Sequence, residues 1–364
     1  MTARWTMKDL GPYMIHVLER TSGNQPTVVN WEITTACELN CPHCFCERPG
    51  DQPTTEECHY ILRELADRGT MMLTLTGGDP LLRPDFAELY VAARRLGLLV
   101  ILFSSMTSVS SEALSVLRRY PPQRIEATLY GATQGTFDKV TATPGGFDRF
   151  LHGLGMLRQA GLPVVLKSLV TVDNYHEVHA MRAFAAEHTG TKLWRHDASI
   201  HPRVDGNRSP LRFRVTVEQA ARLEAEFSER KRAAERFTEH ATLQADTARK
   251  TKLLTCGGGR FHFHLSGRGI LSICSGLRDL GAAVVPDFEL GWRRLTEEVI
   301  PELREMEYPP GHECIECAHR PYCIGCPAKN RSECGDWFNV EPFRCALTRA
   351  MASSARPFAG VEGG

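Results

Sequence analysis

Cysteines gather toward the two ends of this chain and are missing from its middle. Cys37, Cys41, Cys44, Cys46 and Cys58 lie near the start, none occurs from residue 59 to 255, and the other eight of the 13 fall between Cys256 and Cys345. An odd number cannot pair completely, and in a reducing compartment such a load points to metal-bound or catalytic sulfur rather than a disulfide framework. Two sulfur-rich poles separated by ordinary protein suggest two metal-bearing regions. With 364 residues, the chain can bury a large core without staples and is long enough for two units. Lys+Arg and Asp+Glu both number 43. That balance argues against a basic face for nucleic acid or anionic lipid. The opening residues, Met1 to Leu10, lack the apolar block of a secretory signal, and no run reaches the roughly 18 apolar residues of a membrane span. A cytoplasmic protein without nucleic-acid or membrane partners is expected.

Between the poles, short β-branched runs alternate with helical stretches. The runs Val28–Thr35, Met71–Thr76, Leu99–Ser104, Arg124–Leu129, Val164–Thr171 and Lys192–Ala198 read as strands. Helices are expected at Thr54–Arg68, opened by a Thr with Glu nearby, at Pro84–Leu96, Ser111–Arg118 and Phe147–Ala160, and at Asn174–His188. Strands separated by helices indicate right-handed βαβ units and a parallel sheet. Six units are too few for an eight-stranded barrel, so an open (β/α)6 partial barrel of the TIM type is expected over 28–200, after an N-terminal extension, 1–27. A linker, 201–250, contains a charged helix over Val217–Glu239. Phe261–Leu265 and Ile270–Cys274 flank a Gly-rich turn and read as a β-hairpin inside a small cysteine-rich unit, 251–350. The tail, 351–364, ends in a Gly-rich stretch expected to fray.

The loop after the first strand carries Cys37, Cys41 and Cys44. Three thiolates within eight residues can converge on one iron–sulfur cube, since soft ligands favour such clusters. This spacing supplies no fourth protein ligand, so one iron keeps an open position. A zinc site completed by Cys46 or His43, or free structural thiols, are the plainer alternatives. The spacing CxxxCxxC resembles that of the radical S-adenosylmethionine (radical SAM) superfamily, and Leu75-Thr-Gly77-Gly78-Asp79-Pro80 after the second strand resembles its GGEP-type segment, with Asp79 where Glu is commoner. The resemblance implies that a [4Fe–4S] cluster on Cys37, Cys41 and Cys44 chelates S-adenosylmethionine (SAM), passes one electron into the sulfonium and releases a 5′-deoxyadenosyl radical that abstracts hydrogen. It further implies that Gly77, Gly78, Asp79 and Pro80 meet the methionine end and that His43 lies against adenine. Ser104, Thr128, Lys167 and Ser168 are further strand-end candidates for SAM contact.

The second pole runs Cys256, Gly269, Cys274, Cys314-x-x-Cys317, Cys323-x-x-Cys326-Pro327 and Cys345. Only five residues separate Cys317 from Cys323, short for a zinc ribbon, and compact runs ending in Cys-Pro suit ferredoxin-like clusters better. The order is similar to the seven-cysteine SPASM extension of many radical SAM enzymes, though two residues rather than three separate Cys323 from Cys326. That resemblance implies two auxiliary [4Fe–4S] clusters, three in all: Cys256, Cys274 and Cys326 on the first, with Cys334 or an open iron completing it, and Cys314, Cys317, Cys323 and Cys345 on the second. Cys46 and Cys58 match neither pattern. His262 and His264 alternate on a strand and read as packing or solvated histidines.

Auxiliary clusters offer a sink for the electron left on an oxidised substrate. The resemblance therefore implies oxidative modification, by cross-linking, decarboxylation or a related change, of a ribosomally made peptide. Oxidation of an alcohol in a small molecule such as a sugar or aminocyclitol is the second reading, and an electron carrier or zinc scaffold is the non-enzymatic one. Only 27 residues precede the first expected strand, so a separate leader-peptide-binding protein is an expected partner, as is an electron donor such as flavodoxin or ferredoxin. Asp197 is the candidate catalytic acid–base group; with Tyr130, Arg195 and His196 it is named by its place near a strand end alone.

Overall fold

A computed structural model describes residues 24–46, 50, 52–190, 195–227, 251–320, 323 and 325–354. Six parallel strands form its centre: β1 (Val28–Thr34), β2 (Met72–Gly77), β3 (Leu99–Phe103), β4 (Arg124–Thr128), β5 (Val164–Leu169) and β6 (Arg195–Asp197). They pair in chain order, and their C-terminal ends open on one side as a cleft. The helices between them are α1 (Thr55–Asp67), α2 (Phe86–Arg95), α3 (Ser111–Arg119), α4 (Gln134–Thr141), α5 (Gly146–Gln159) and α6 (Val178–Thr189). This is the expected open partial barrel. The sixth strand is shorter than expected, since residues 192–194 lie outside the described residues. The extension before residue 24, the linker helix beyond 227 and the tail after 354 also lie outside them. Within the linker, α7 (Val217–Glu226) begins with a capping box at Thr216 and Gln219.

Alternation along each strand explains why the barrel is hollow. Val29, Trp31 and Ile33 of β1, Ile125 and Ala127 of β4, and Leu166 of β5 are buried beneath the helices. The intervening positions, Asn30, Glu32, Glu126, Thr128 and Lys167, are polar and line the interior. A period of two thus sends apolar residues outward to the helices and polar residues inward, leaving a lumen instead of a filled core. The helices supply the other half of the core with Ile61, Leu62 and Leu65 of α1 and Phe86, Leu89 and Tyr90 of α2. A reciprocal Thr54–Glu57 capping box starts α1.

Two features escape the sequence reading. One is α4, a short polar helix whose few apolar residues give little periodicity; Glu177 fixes its start by accepting from Thr133 Oγ1 at 2.6 Å and Thr136 Oγ1 at 2.7 Å. The other is the partner of the C-terminal hairpin, β7 (His262–Leu265) and β8 (Ile270–Ser272). Strand β7 adds in parallel to β1, with Val28 beside His262 and Trp31 beside Leu265. With β9 (Ala282–Ala283) the sheet reaches nine strands in the order β6-β5-β4-β3-β2-β1-β7-β8-β9. The cysteine-rich region therefore grows directly from the barrel wall. It continues through α8 (Phe288–Arg293), α9 (Ile300–Glu305), α10 (Pro327–Cys334) and α11 (Pro342–Ser354).

Candidate active site between the two cysteine-rich regions

The turn after β2 is stitched to the cysteine loop after β1. Gly78 N donates to Thr34 O at 2.9 Å and Asp79 N to Ala36 O at 2.7 Å. Only glycine fits here. A Cβ on Gly77 would stand 2.1 Å from Thr34 O, and one on Gly78 would stand 2.0 Å from Ala36 O. Asp79 is wholly buried and accepts from Ser104 Oγ, Ser105 N and Leu81 N, each at 3.0 Å. Burial pushes its carboxyl up, against the pull of those donors. Asp79 and Ser104 thus brace β2 against β3. Ser104 still borders the cleft with Gly77 and Gly78, whereas Asp79 and Pro80 lie behind them.

A cavity of about 700 Å³ fills the lumen. Cys37, Cys41 and Cys44 line one end, with His43, Thr128, Tyr130, Lys167, Ser168 and Asp197 around it. The three thiols act on one another: burial pushes Cys37 up to about 11, with the Cys44 charge adding to the rise, and burial followed by the charges of Cys44 and Cys37 raises Cys41. A hydrogen bond from Cys46 draws Cys44 down to about 6. Cys46 also contacts Gly77 O at 3.8 Å, so it packs in the site although the spacing assigns it nothing. Burial, then Cys41, Cys44 and Cys37, holds the Tyr130 phenol well above its usual value. His43 lies with its ring centroid 5.3 Å from that of Tyr130. Burial lowers His43 to about 4, which keeps the ring neutral at pH 7.

Several other residues depart from a simple strand-end role. Lys167 Nζ is 3.1 Å from Glu126 Oε2 and 3.3 Å from the Phe103 ring centroid, so its charge is engaged deep in the barrel. Arg195 and Arg124 bind the same buried Glu126. His196 is buried, while Asp197 is exposed at the cleft and accepts from Ser199 N at 2.7 Å. Cys58 belongs to the apolar core, where burial pushes its thiol up to about 12.

Glu32, His264 and Ser275 also line the cavity, and Ser275 adjoins Cys274. Burial pushes Cys274 up to about 11, with the charges of Cys326 and Cys256 adding to the rise. Cys314 is raised to about 11 by burial first, with Cys323 and Cys317 among its neighbours, and Cys323 feels Cys345 and Cys317. Cys334 has different surroundings: its thiol reaches Val340 O at 3.7 Å, and Glu333, Glu341, Arg208 and Asp336 surround it.

The donor chemistry suits iron–sulfur clusters, because each group is made of thiols alone. The cavity also suits a polar nucleotide-like ligand: Ser168 Oγ and His43 Nδ1 are buried, border it and have no hydrogen-bond partner among the described residues. Glu32, His264, Arg203 and Phe45 are lining residues that pattern reading missed. Arg203 and Phe45 carry no motif signal, whereas the alternation of β1 is the signal that could have found Glu32.

A parallel partial barrel with a trio of thiols on its first loop, a Gly-Gly turn beside them and a cysteine-rich region on its sheet edge is the arrangement expected of a radical SAM-type enzyme. The Radical SAM superfamily model matches residues 31–185. That stretch of the chain is therefore similar to the radical SAM superfamily. It is 26% identical over 355 residues to an AdoMet-dependent heme synthase of Methanosarcina barkeri, covering 88% of this chain and 96% of the relative. It is 25% identical over 333 residues to a PqqA peptide cyclase of Bradyrhizobium diazoefficiens, covering 89% and 87% respectively. The fold is shared with Streptococcus suis SuiB bound to precursor peptide SuiA, with TM-score 0.69, 14% identity and coverage of 94% of this chain and 82% of that one. It is also shared with anSMEcpe with bound AdoMet, with TM-score 0.66, 13% identity and coverage of 90% and 96%. Among the described residues no helix is long and apolar enough to cross a membrane.

Proposed function

We propose that this enzyme cleaves SAM reductively and uses the product to oxidise a ribosomally synthesised peptide held between the barrel and the C-terminal cysteines. The observation that carries this reading is a single cavity reaching from Cys37, Cys41 and Cys44 to Ser275 beside Cys274. A substrate lying in it would adjoin both the SAM site and an electron acceptor. Cys37, Cys41 and Cys44 hold the SAM-binding cluster. Cys256, Cys274 and Cys326 would hold one auxiliary cluster, with Cys334, whose thiol contacts Val340 O at 3.7 Å, or an open iron completing it. Cys314, Cys317, Cys323 and Cys345 hold the other.

The bound cofactors supply a one-electron reductant and a hydrogen-abstracting group, and the chain positions them. Gly77 and Gly78 bring backbone close to the methionine end, Ser168 and Thr128 offer hydroxyls, and the neutral ring of His43 packs against adenine. Asp79 and Pro80 act behind the Gly-Gly turn by fixing its shape, and Ser104 acts through Asp79. Lys167 is held by Glu126 and supports the floor. Asp197, which also lines the cavity, is a candidate for moving a proton. An external donor such as flavodoxin or ferredoxin supplies electrons in the cytoplasm, and a separate leader-binding protein delivers the peptide.

The likeness to AdoMet-dependent heme synthases, over 88% of this chain, and to an Fe-coproporphyrin III synthase of Methanosarcina barkeri, 28% identical over 170 residues, favours a second reading, chemistry on a porphyrin on the way to heme. Anaerobic reconstitution with dithionite and SAM, offering in parallel a co-expressed neighbouring short peptide and Fe-coproporphyrin III, separates them by mass spectrometry. A defined mass change in the peptide supports the first reading; one in the porphyrin alone replaces it with the second.

A further inference from the structure

Glu32 on β1 and His264 on β7 meet on the lumen face where the C-terminal hairpin joins the barrel. Their exposures are 4% and 3%, and both line the cavity beside Ser275. Arg278, just beyond Ser275, donates Nη1 to Glu32 Oε2 at 2.7 Å and Nη2 to Glu32 Oε1 at 2.5 Å. It also donates Nε to Ser275 O at 2.9 Å. Both carboxylate oxygens are thereby committed to the guanidinium. His264 Nε2 stands 3.3 Å from Glu32 Oε1, and neither ring nitrogen has a hydrogen-bond partner among the described residues. A buried imidazole on the cavity wall, beside a carboxylate and with its nitrogens unengaged, is placed to accept a proton.

We propose that His264 is the proton acceptor of the oxidative step, with Glu32 and Arg278 as positioning residues. The inference rests on the reading that this cavity holds the substrate. Removing two electrons from a C–H-bearing substrate takes away one hydrogen atom, then one proton and one electron. Bound SAM would take the hydrogen atom and an iron–sulfur cluster held by the cysteines would take the electron, and His264 would accept the proton through an unengaged ring nitrogen, giving a product two electrons more oxidised. Other acidic groups around the lumen are engaged elsewhere. Glu126 is neutralised by Arg124, Lys167 and Arg195, and Asp197 is exposed and accepts from Ser199 N. His262, on the same strand as His264, is bonded to Asn30 Nδ2 at 3.1 Å.

Two measurements test the role. In the full-length chain with 15N-labelled histidine, the His264 resonances, assigned by their loss in His264→Gln, should show a neutral ring with one bare nitrogen. Glu32→Gln should shift them. Holoenzyme carrying His264→Gln, given whichever of the peptide or Fe-coproporphyrin III the wild type alters, should show a product to 5′-deoxyadenosine ratio reduced about a hundredfold or more. Imidazole should partly restore that ratio in His264→Ala. A doubly protonated ring, or a ratio in His264→Gln equal to that of the wild type, overturns the proposal. If the wild type alters neither probe, the substrate reading fails and the nitrogen spectrum alone decides the assignment of His264.

Discussion

The two cysteine-rich regions are built on opposite principles. The first is a short loop clamped by a parallel sheet: Gly78 and Asp79 donate backbone hydrogen bonds into it, and its neighbours are buried side chains already in place. The second gathers Cys256, Cys274 and Cys326, and then Cys314, Cys317, Cys323 and Cys345, from separate segments spread over 90 residues, between and beside the short elements β7–β9 and α8–α11. The sheet therefore preorganises the first site, whereas the second is assembled from many short pieces. The Glu32–Arg278 pair links the two.

Replacing Cys37, Cys41 and Cys44 together by Ala should abolish SAM cleavage and remove about four irons per chain, read by iron analysis and 5′-deoxyadenosine yield. The fold should persist by circular dichroism, because the clamped loop needs no metal to hold its backbone. The next largest effect is expected from Gly78→Ala, whose Cβ would meet Ala36 O, a backbone atom. Displacing the loop by even 1 Å should lower 5′-deoxyadenosine formation on the order of 10²-fold.

Arg278→Met should destabilise the chain by about 3–5 kcal/mol in urea unfolding, because Glu32 is left charged and buried. Adding Glu32→Gln should recover much of that loss. Burial alone would raise Glu32, but its neighbours His264 and the Arg278 guanidinium hold it below its ordinary 4.5. Its contribution is therefore complete above that pH and lost as pH falls through the folded-state value. In Arg278→Met the decline should begin at higher pH.

Cys314→Ala with Cys317→Ala should remove about four irons and lower altered product more than SAM cleavage, with broadened near-ultraviolet signals if the metal shapes that region. The smallest effect is expected from Thr54→Ala, about 1 kcal/mol from loss of the α1 capping box, with both metal sites intact.

Much of the barrel was legible because its signals are local. Alternation sets each strand, Thr54 and Glu57 open α1, and the trio Cys37, Cys41, Cys44 sits on one loop with Gly77 and Gly78 on the next. Contacts between distant segments were not legible. Nothing in His262–Leu265 specifies pairing with Val28–Trp31, so the ninefold sheet and the meeting of Glu32 with His264 and Arg278 appear only in three dimensions. The same limit left His264 as a packing residue and α4 unread.

The most direct measurement of the central claim is 5′-deoxyadenosine released from SAM by anaerobically reconstituted, dithionite-reduced enzyme. The wild type should release it, and the variant lacking Cys37, Cys41 and Cys44 should not. A wild type that takes up iron into all three thiol groups yet releases no 5′-deoxyadenosine would contradict the account.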